Sequence, residues 1–416
     1  MTERDRPVRD AIVRFSPLWL FLVFFKFGAG LHYSLLSPLG ERVLPLWLAG
    51  IVMGLASFFQ FALDVPAGKL LDRFGYRRLM LLGTVIFLFA ALVLTFPFTL
   101  PTYLLSVALS VFGWLFFGPG VNAYLLSTAS QKHSGFFMSL RDISGSLGIV
   151  LSSGFLPLTL LLPVAQMGWT IFGLLILSLI SLSALPRETR SVRVEEHHHK
   201  RRLTRELKGL VQTMKQLNPA SSVLLALHAV GAIFYGMIWF VVPLVIASQP
   251  HNELLGIGLG IFDFSIVALG FLLGMLADRA NKRQLVFFGL LMFSIFGALL
   301  GVSFNVFFIL FGFLATTGDE MAGLSLWSWL HILDREHTQD GTISGVISLF
   351  EDFGWMAGPI AAGFLYTLIG PSWTIALGAL PIFITWFVYL VMSRGHAGQH
   401  PTIPSALRPR IRRHKS

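Results

Sequence analysis

The chain has 416 residues, 55% of them hydrophobic and only 12% charged, with a mean hydropathy of +0.73. Soluble domains carry about twice that share of charge, which argues against a soluble protein. The net charge of +10 raises a nucleic-acid partner, and the complete lack of cysteine removes disulfide and thiol chemistry.

Apolar runs of about 20 residues, each long enough to cross ~30 Å of hydrocarbon, follow one another along the chain. They fall at 17–38, 44–67, 79–97, 101–127, 136–161, 168–185, 220–247, 254–277, 285–303, 305–330, 342–369 and 372–392. The join between 285–303 and 305–330 has almost no loop. Lipid-exposed backbone must satisfy its own hydrogen bonds, and the alternating pattern of a barrel is absent, so the spans are expected to be helices. The first run lacks a small-residue cleavage site and reads as a span rather than a signal peptide. The predicted fold is an all-α membrane protein of twelve transmembrane helices in two pseudo-symmetric six-helix halves. The expected divisions are an N-terminus 1–16, a bundle 17–185, a polar linker 186–219, a second bundle 220–392 and a basic tail 393–416.

With this topology, 29 of the 31 Lys and Arg residues fall at the termini and in alternate loops. That is the positive-inside pattern, and it puts both termini and the linker in the cytoplasm, with the chain in a cell (inner) membrane. The basic stretch Arg408–Lys415 then reads as a solvated tail near anionic lipid, with no nucleic acid expected. His197–His199 read as part of a solvated linker, so no metal is expected, and no cofactor motif appears.

The most informative motif occurs twice, 206 residues apart. The first copy is Gly68-Lys-Leu-Leu-Asp72-Arg73-Phe-Gly75-Tyr-Arg77-Arg78, and the second is Gly274-Met-Leu-Ala-Asp278-Arg279-Ala-Asn281-Lys-Arg283. Each is a charged hinge between two apolar runs. Further correspondences extend the repeat. Gly50 and Gly54 map onto Gly256 and Gly260, Asp142 onto Asp352, Lys26 onto His228 and Tyr33 onto Tyr235. Internal repeats of this kind mark secondary transporters.

Six plus six spans, a long linker and a Gly-x-x-x-Asp-Arg-x-Gly-x-Arg-Arg turn after the second span resemble the major facilitator superfamily. The first hinge carries Tyr76 where Arg is usual, and the second carries Asn281 where the later Gly is expected. The resemblance implies that the hinge loops latch one half onto the other. By pseudo-symmetry, Asp72, Arg73 and Arg77 are expected to couple to Glu351 and Asp352 on the eleventh span. Asp278 and Arg279 are expected to couple to Arg141 and Asp142 on the fifth. Gly354-x3-Gly358-Pro359-x3-Gly363, with Gly50/Gly54, Gly256/Gly260 and Gly270/Gly274, reads as close helix packing.

Charge inside a membrane is costly and marks function by default. Asp319-Glu320 lies near the middle of the tenth span. Two adjacent carboxylates cannot both ionise cheaply there, which suits a proton carrier or a cationic substrate. The resemblance implies that spans one, four, seven and ten line the cavity. Lys26 and His228 then face it, together with His32, Tyr33 and Tyr235. Asp263 in the eighth span is expected to serve a helix–helix hydrogen bond. The leading reading is secondary transport of a small molecule by alternating access, coupled to protons or another ion, with efflux of amphipathic or drug-like compounds. The alternatives are a proton symporter importing a small metabolite and a non-transporting receptor or scaffold. The chain is expected to act in the bilayer as a monomer. No P-loop, HExxH or GxSxG motif suggests an enzyme.

Overall fold

The computed structural model describes residues 13, 15–128, 134–186, 219–249, 253–333 and 340–395. Most of the linker, Lys132, Arg335 and the basic tail lie outside them. The described residues are helical almost throughout, in thirteen segments that we label in chain order. The first half holds α1 (Ser16–Glu41), α2 (Leu46–Phe74), α3 (Tyr76–Val93), α4 (Leu100–Leu115), α5 (Phe117–Thr128), α6 (Ser134–Leu160) and α7 (Val164–Ser183). The second half holds α8 (Pro219–Ser248), α9 (Glu253–Arg279), α10 (Lys282–Leu300), α11 (Val306–Leu333), α12 (Asp340–Gly378) and α13 (Leu380–Gly395).

Eight of these stretches are long and apolar enough to cross a membrane. One of them, Leu349–Val391, holds two spans separated by a break at Gly370, and three further apolar stretches are shorter. Together they account for the twelve expected spans. The fourth span is split at Phe116, just before Gly118-Pro119-Gly120, so α4 and α5 together make one crossing.

Local chemistry sets the ends. Pro45 and Pro163 stand immediately before α2 and α7, where the next turn needs no amide from them. Thr99 and Thr102 form a capping box at the start of α4. The first hinge is a single residue: Gly75 ends α2 and begins α3 with φ 93°. A side chain is strained there, which is why glycine holds the position. Gly370, with φ 76°, separates spans eleven and twelve in the same way.

Within the first half, α1 packs on α6 and α7, and α3 packs on α4 and α7. Within the second, α8 packs on α12, and α11 packs on α9 and α10. The halves meet through α2 against α12, α9 against α6, and α1 against α8. These contacts are tightest at the end of the bundle away from the hinges. A methyl group at Gly50 would strike the Pro359 carbonyl, and one at Gly54 would strike the Met356 carbonyl. Gly256 lies on Pro157 and Ser153, and Gly260 on Val150 and Ser153. Small residues let these backbones approach, as expected for helices with no hydrophobic drive between them. Trp47 stacks on Phe364 across the same seam at 5.8 Å.

Toward the hinges the seam opens. Among the described residues, a methyl at Gly270 would meet only Ile266 of its own helix, at 3.9 Å. Phe58 and Phe59 on α2 are exposed. Among the described residues, the closest glycine contacts between the halves lie at the end away from the hinges.

Candidate functional site

On α8, the residues His228, Gly231, Tyr235 and Trp239 recur every three or four positions and share one face. Asp319, at mid-length on α11, lies against this face. The Tyr235 hydroxyl donates to Asp319 Oδ2 at 2.9 Å. Asp319 Oδ1 lies over Gly231, 3.5 Å from where a Cβ would stand. Nearer the hinge end, His228 Nε2 lies 3.5 Å from Glu351 Oε2 on α12. The partner face of α12 is equally close, because Gly354 packs on Ala229, Ala232 and Ile233. Glu320 adds a second carboxylate beside Asp319, within electrostatic reach of Asp263 and Asp142.

The matching place in the first half is built differently. Lys26 Nζ on α1 sits over the Trp114 ring, 4.6 Å from its centroid, and over the Phe117 ring at 5.3 Å. Both rings belong to the broken fourth span. Lys26 is within electrostatic reach of Asp263, on α9 of the other half, and Ser146 of α6 donates to Asp263 Oδ1 at 3.5 Å. Arg141 donates to Asn122 and to its neighbour Asp142. Among the described residues, the carboxylates Asp263, Asp319 and Glu320 lie within electrostatic reach of one another or of Lys26. Among the described residues no three His, Asp or Glu side chains gather into a metal-binding group.

His32 lies apart from this group. It donates from Nε2 to Ser106 Oγ at 2.9 Å, and the Ser106 hydroxyl donates to the Ala90 carbonyl at 2.8 Å, all inside the first half. Tyr33 stands between Trp239 and Trp355, with ring centroids 6.3 Å from each. Its buried hydroxyl has no hydrogen-bond partner.

At the first hinge, Arg77 donates to the carbonyls of Leu182 and Ser183, the last turn of α7, where a cation complements the helix end. Arg73 lies over the Phe74 ring at 5.3 Å, and Arg78 is exposed. The side chains of Asp72, Asp278, Arg279 and Arg283, and the surroundings of Gly68 and Gly274, lie outside the described residues. Asp263 entered the sequence reading only as a packing group; its tie to Lys26, and that of Trp114, needed the tertiary structure. Trp355 was not singled out, because one Trp among ten carries no signal in an aromatic-rich chain.

A model of the Major Facilitator Superfamily matches residues 18–333. The chain belongs to this superfamily. Membership places it among integral membrane transport proteins and not among enzymes. It is also similar to two uncharacterized MFS-type transporters from two strains of Mycobacterium tuberculosis, each 31% identical over 117 residues. Those matches take in 27% of this chain and 28% of each relative, so the chain spans little more than a quarter of the length of the relatives it matches. Solved structures share the superfamily fold at low identity. The nucleoside transporter NupG has a TM-score of 0.66 at 14% identity, covering 90% of this chain and 99% of that one. A POT family transporter in complex with a thioalcohol conjugated peptide gives 0.68 at 13%, covering 92% and 96%. The human organic anion transporter MFSD10 gives 0.61 at 14%, covering 90% and 98%.

Proposed function

We propose that this superfamily member exports a small amphipathic cation by alternating access, driven by protons moving the other way. The observation that carries the reading is the pair of carboxylates Asp319 and Glu320 at mid-span, with Asp319 bonded to Tyr235 and the closest described contacts between the halves at the end away from the hinges. A carboxylate in that position can hold a proton or a cation, but not both at full affinity, and such exclusion is what exchange requires. Aromatic faces beside the acids suit a cation with an apolar body. Lys26 is already set against Trp114 and near Asp263, which gives less support to import of an anionic metabolite. The basic residues support a cytoplasmic hinge end. In this reading the hinges latch that end shut in the opposite state, with Asp72, Arg73 and Arg77 facing Glu351 and Asp352, and Asp278 and Arg279 facing Arg141 and Asp142.

The test is accumulation of ethidium in cells lacking their own pumps. Wild type is expected to lower accumulation, and both an uncoupler and the double substitution Asp319→Asn, Glu320→Gln are expected to restore it. Equal accumulation in all strains would remove cation export.

A further inference from the structure

We propose that His228 and Glu351 are the groups through which a proton held on Asp319 exchanges with solution at the hinge end. The inference rests on the proton-coupled reading above and names a route for it. Asp319 is part-buried between α8 and α11, with Tyr235 bonded to Oδ2. The other oxygen lies over Gly231, one turn from His228 on the same face. His228 in turn meets Glu351 at 3.5 Å, with side-chain exposures of 29% and 49%. The three titratable groups therefore ascend in exposure from mid-span toward the opening, on three helices of one half.

The other charged groups facing this stripe are Glu320 on α11, Asp263 on α9, Asp352 on α12 and, from the first half, Lys26, Arg141 and Asp142. Glu351 reaches His228 as an ion-pair partner. The step is proton transfer alone. The Asp319 carboxylic O–H bond breaks, an imidazole nitrogen of His228 takes the proton, and the imidazolium passes one to Glu351 and then to water. No electrons move, and the imidazole returns to its neutral form. Histidine suits the middle position because its charge changes near neutral pH.

The test separates proton-coupled movement from exchange. Purified protein in vesicles carries ethidium either uphill, driven by an imposed pH gradient, or in equal exchange, which moves no net proton. In His228→Gln and Glu351→Gln, uphill movement is expected to fall by about a hundredfold and exchange by about tenfold at most, so that the ratio of the two falls about tenfold. A merely structural or ligand-binding role would lower both together, and variants that keep uphill movement would overturn the route. If wild type moves no ethidium at all, the cation-export reading fails instead, and a ligand-free measurement still decides the route. The chain lacks cysteine, so Phe74→Cys and Gln284→Cys, exposed at the hinge end of each half, take spin labels selectively. Their separation is expected to change with pH in otherwise wild-type protein and to lose that dependence when His228 or Glu351 is also replaced by Gln. An unchanged dependence in both variants would overturn the proposal.

Discussion

The fourth and tenth spans occupy matching places in the two halves, yet they present opposite chemistry to the centre. Gly83 packs on the Gly113 carbonyl in the first half, and Gly289 packs on the Gly318 carbonyl in the second. That shared contact aligns Trp114 with Asp319. In the first half a span-one cation, Lys26, faces an aromatic ring. In the second a span-seven aromatic, Tyr235, faces an anion. The glycines that let backbones touch have been kept at both places, while the side chains next to them have diverged. The repeat therefore fixes where the centre is and leaves open what it binds.

Trp114→Ala removes the ring under Lys26 and its contacts with Phe25, Phe87 and Phe117, so it carries the largest expected effect. About 3 kcal/mol of stability should be lost, read as a lower thermal midpoint in detergent. A change below about 1 kcal/mol would mean that the ring does not hold this side of the cavity together. Gly75→Ala, at the one-residue hinge, should cost about 1–2 kcal/mol because a side chain is forced to positive φ. Asn281→Ala, at the matching place in the other hinge, should cost less, since no described non-glycine residue has positive φ. Equal losses would remove the backbone distinction between the hinges.

Tyr235→Phe and Tyr33→Phe probe the aligned tyrosines of spans seven and one. The first removes an interhelical hydrogen bond and should cost about 0.6–1.7 kcal/mol. The second removes a buried hydroxyl without a partner and should be close to neutral. Comparable destabilisation of both would show that the two sites are more alike than their contacts.

The order and lengths of the spans, the two halves and the hinge positions were legible in the sequence. Hydrophobic runs, glycine and basic residues act locally, and a membrane leaves the backbone few options. The second hinge shows the limit of that reading. Its charges repeat those of the first, but Asn281 in place of glycine gives a turn without positive φ. Among the described residues Gly270 meets no neighbouring helix, whereas Gly256 and Gly260 do. Four-residue glycine spacing marks a helix face able to pack, but which end of that face is in contact depends on the tilt between the halves.

The sequence by itself determined that this is a twelve-span helical membrane protein with a duplicated plan and with charge at mid-span, because burial and hydrogen bonding constrain every residue of a span. Only the tertiary structure decided who faces whom. It put Asp319 on Tyr235 and over Gly231, Glu351 on His228, and Lys26 over Trp114 within reach of Asp263. Those partners come from helices far apart in the chain, and their meeting depends on the angles at which whole helices cross, which no local pattern of residues encodes.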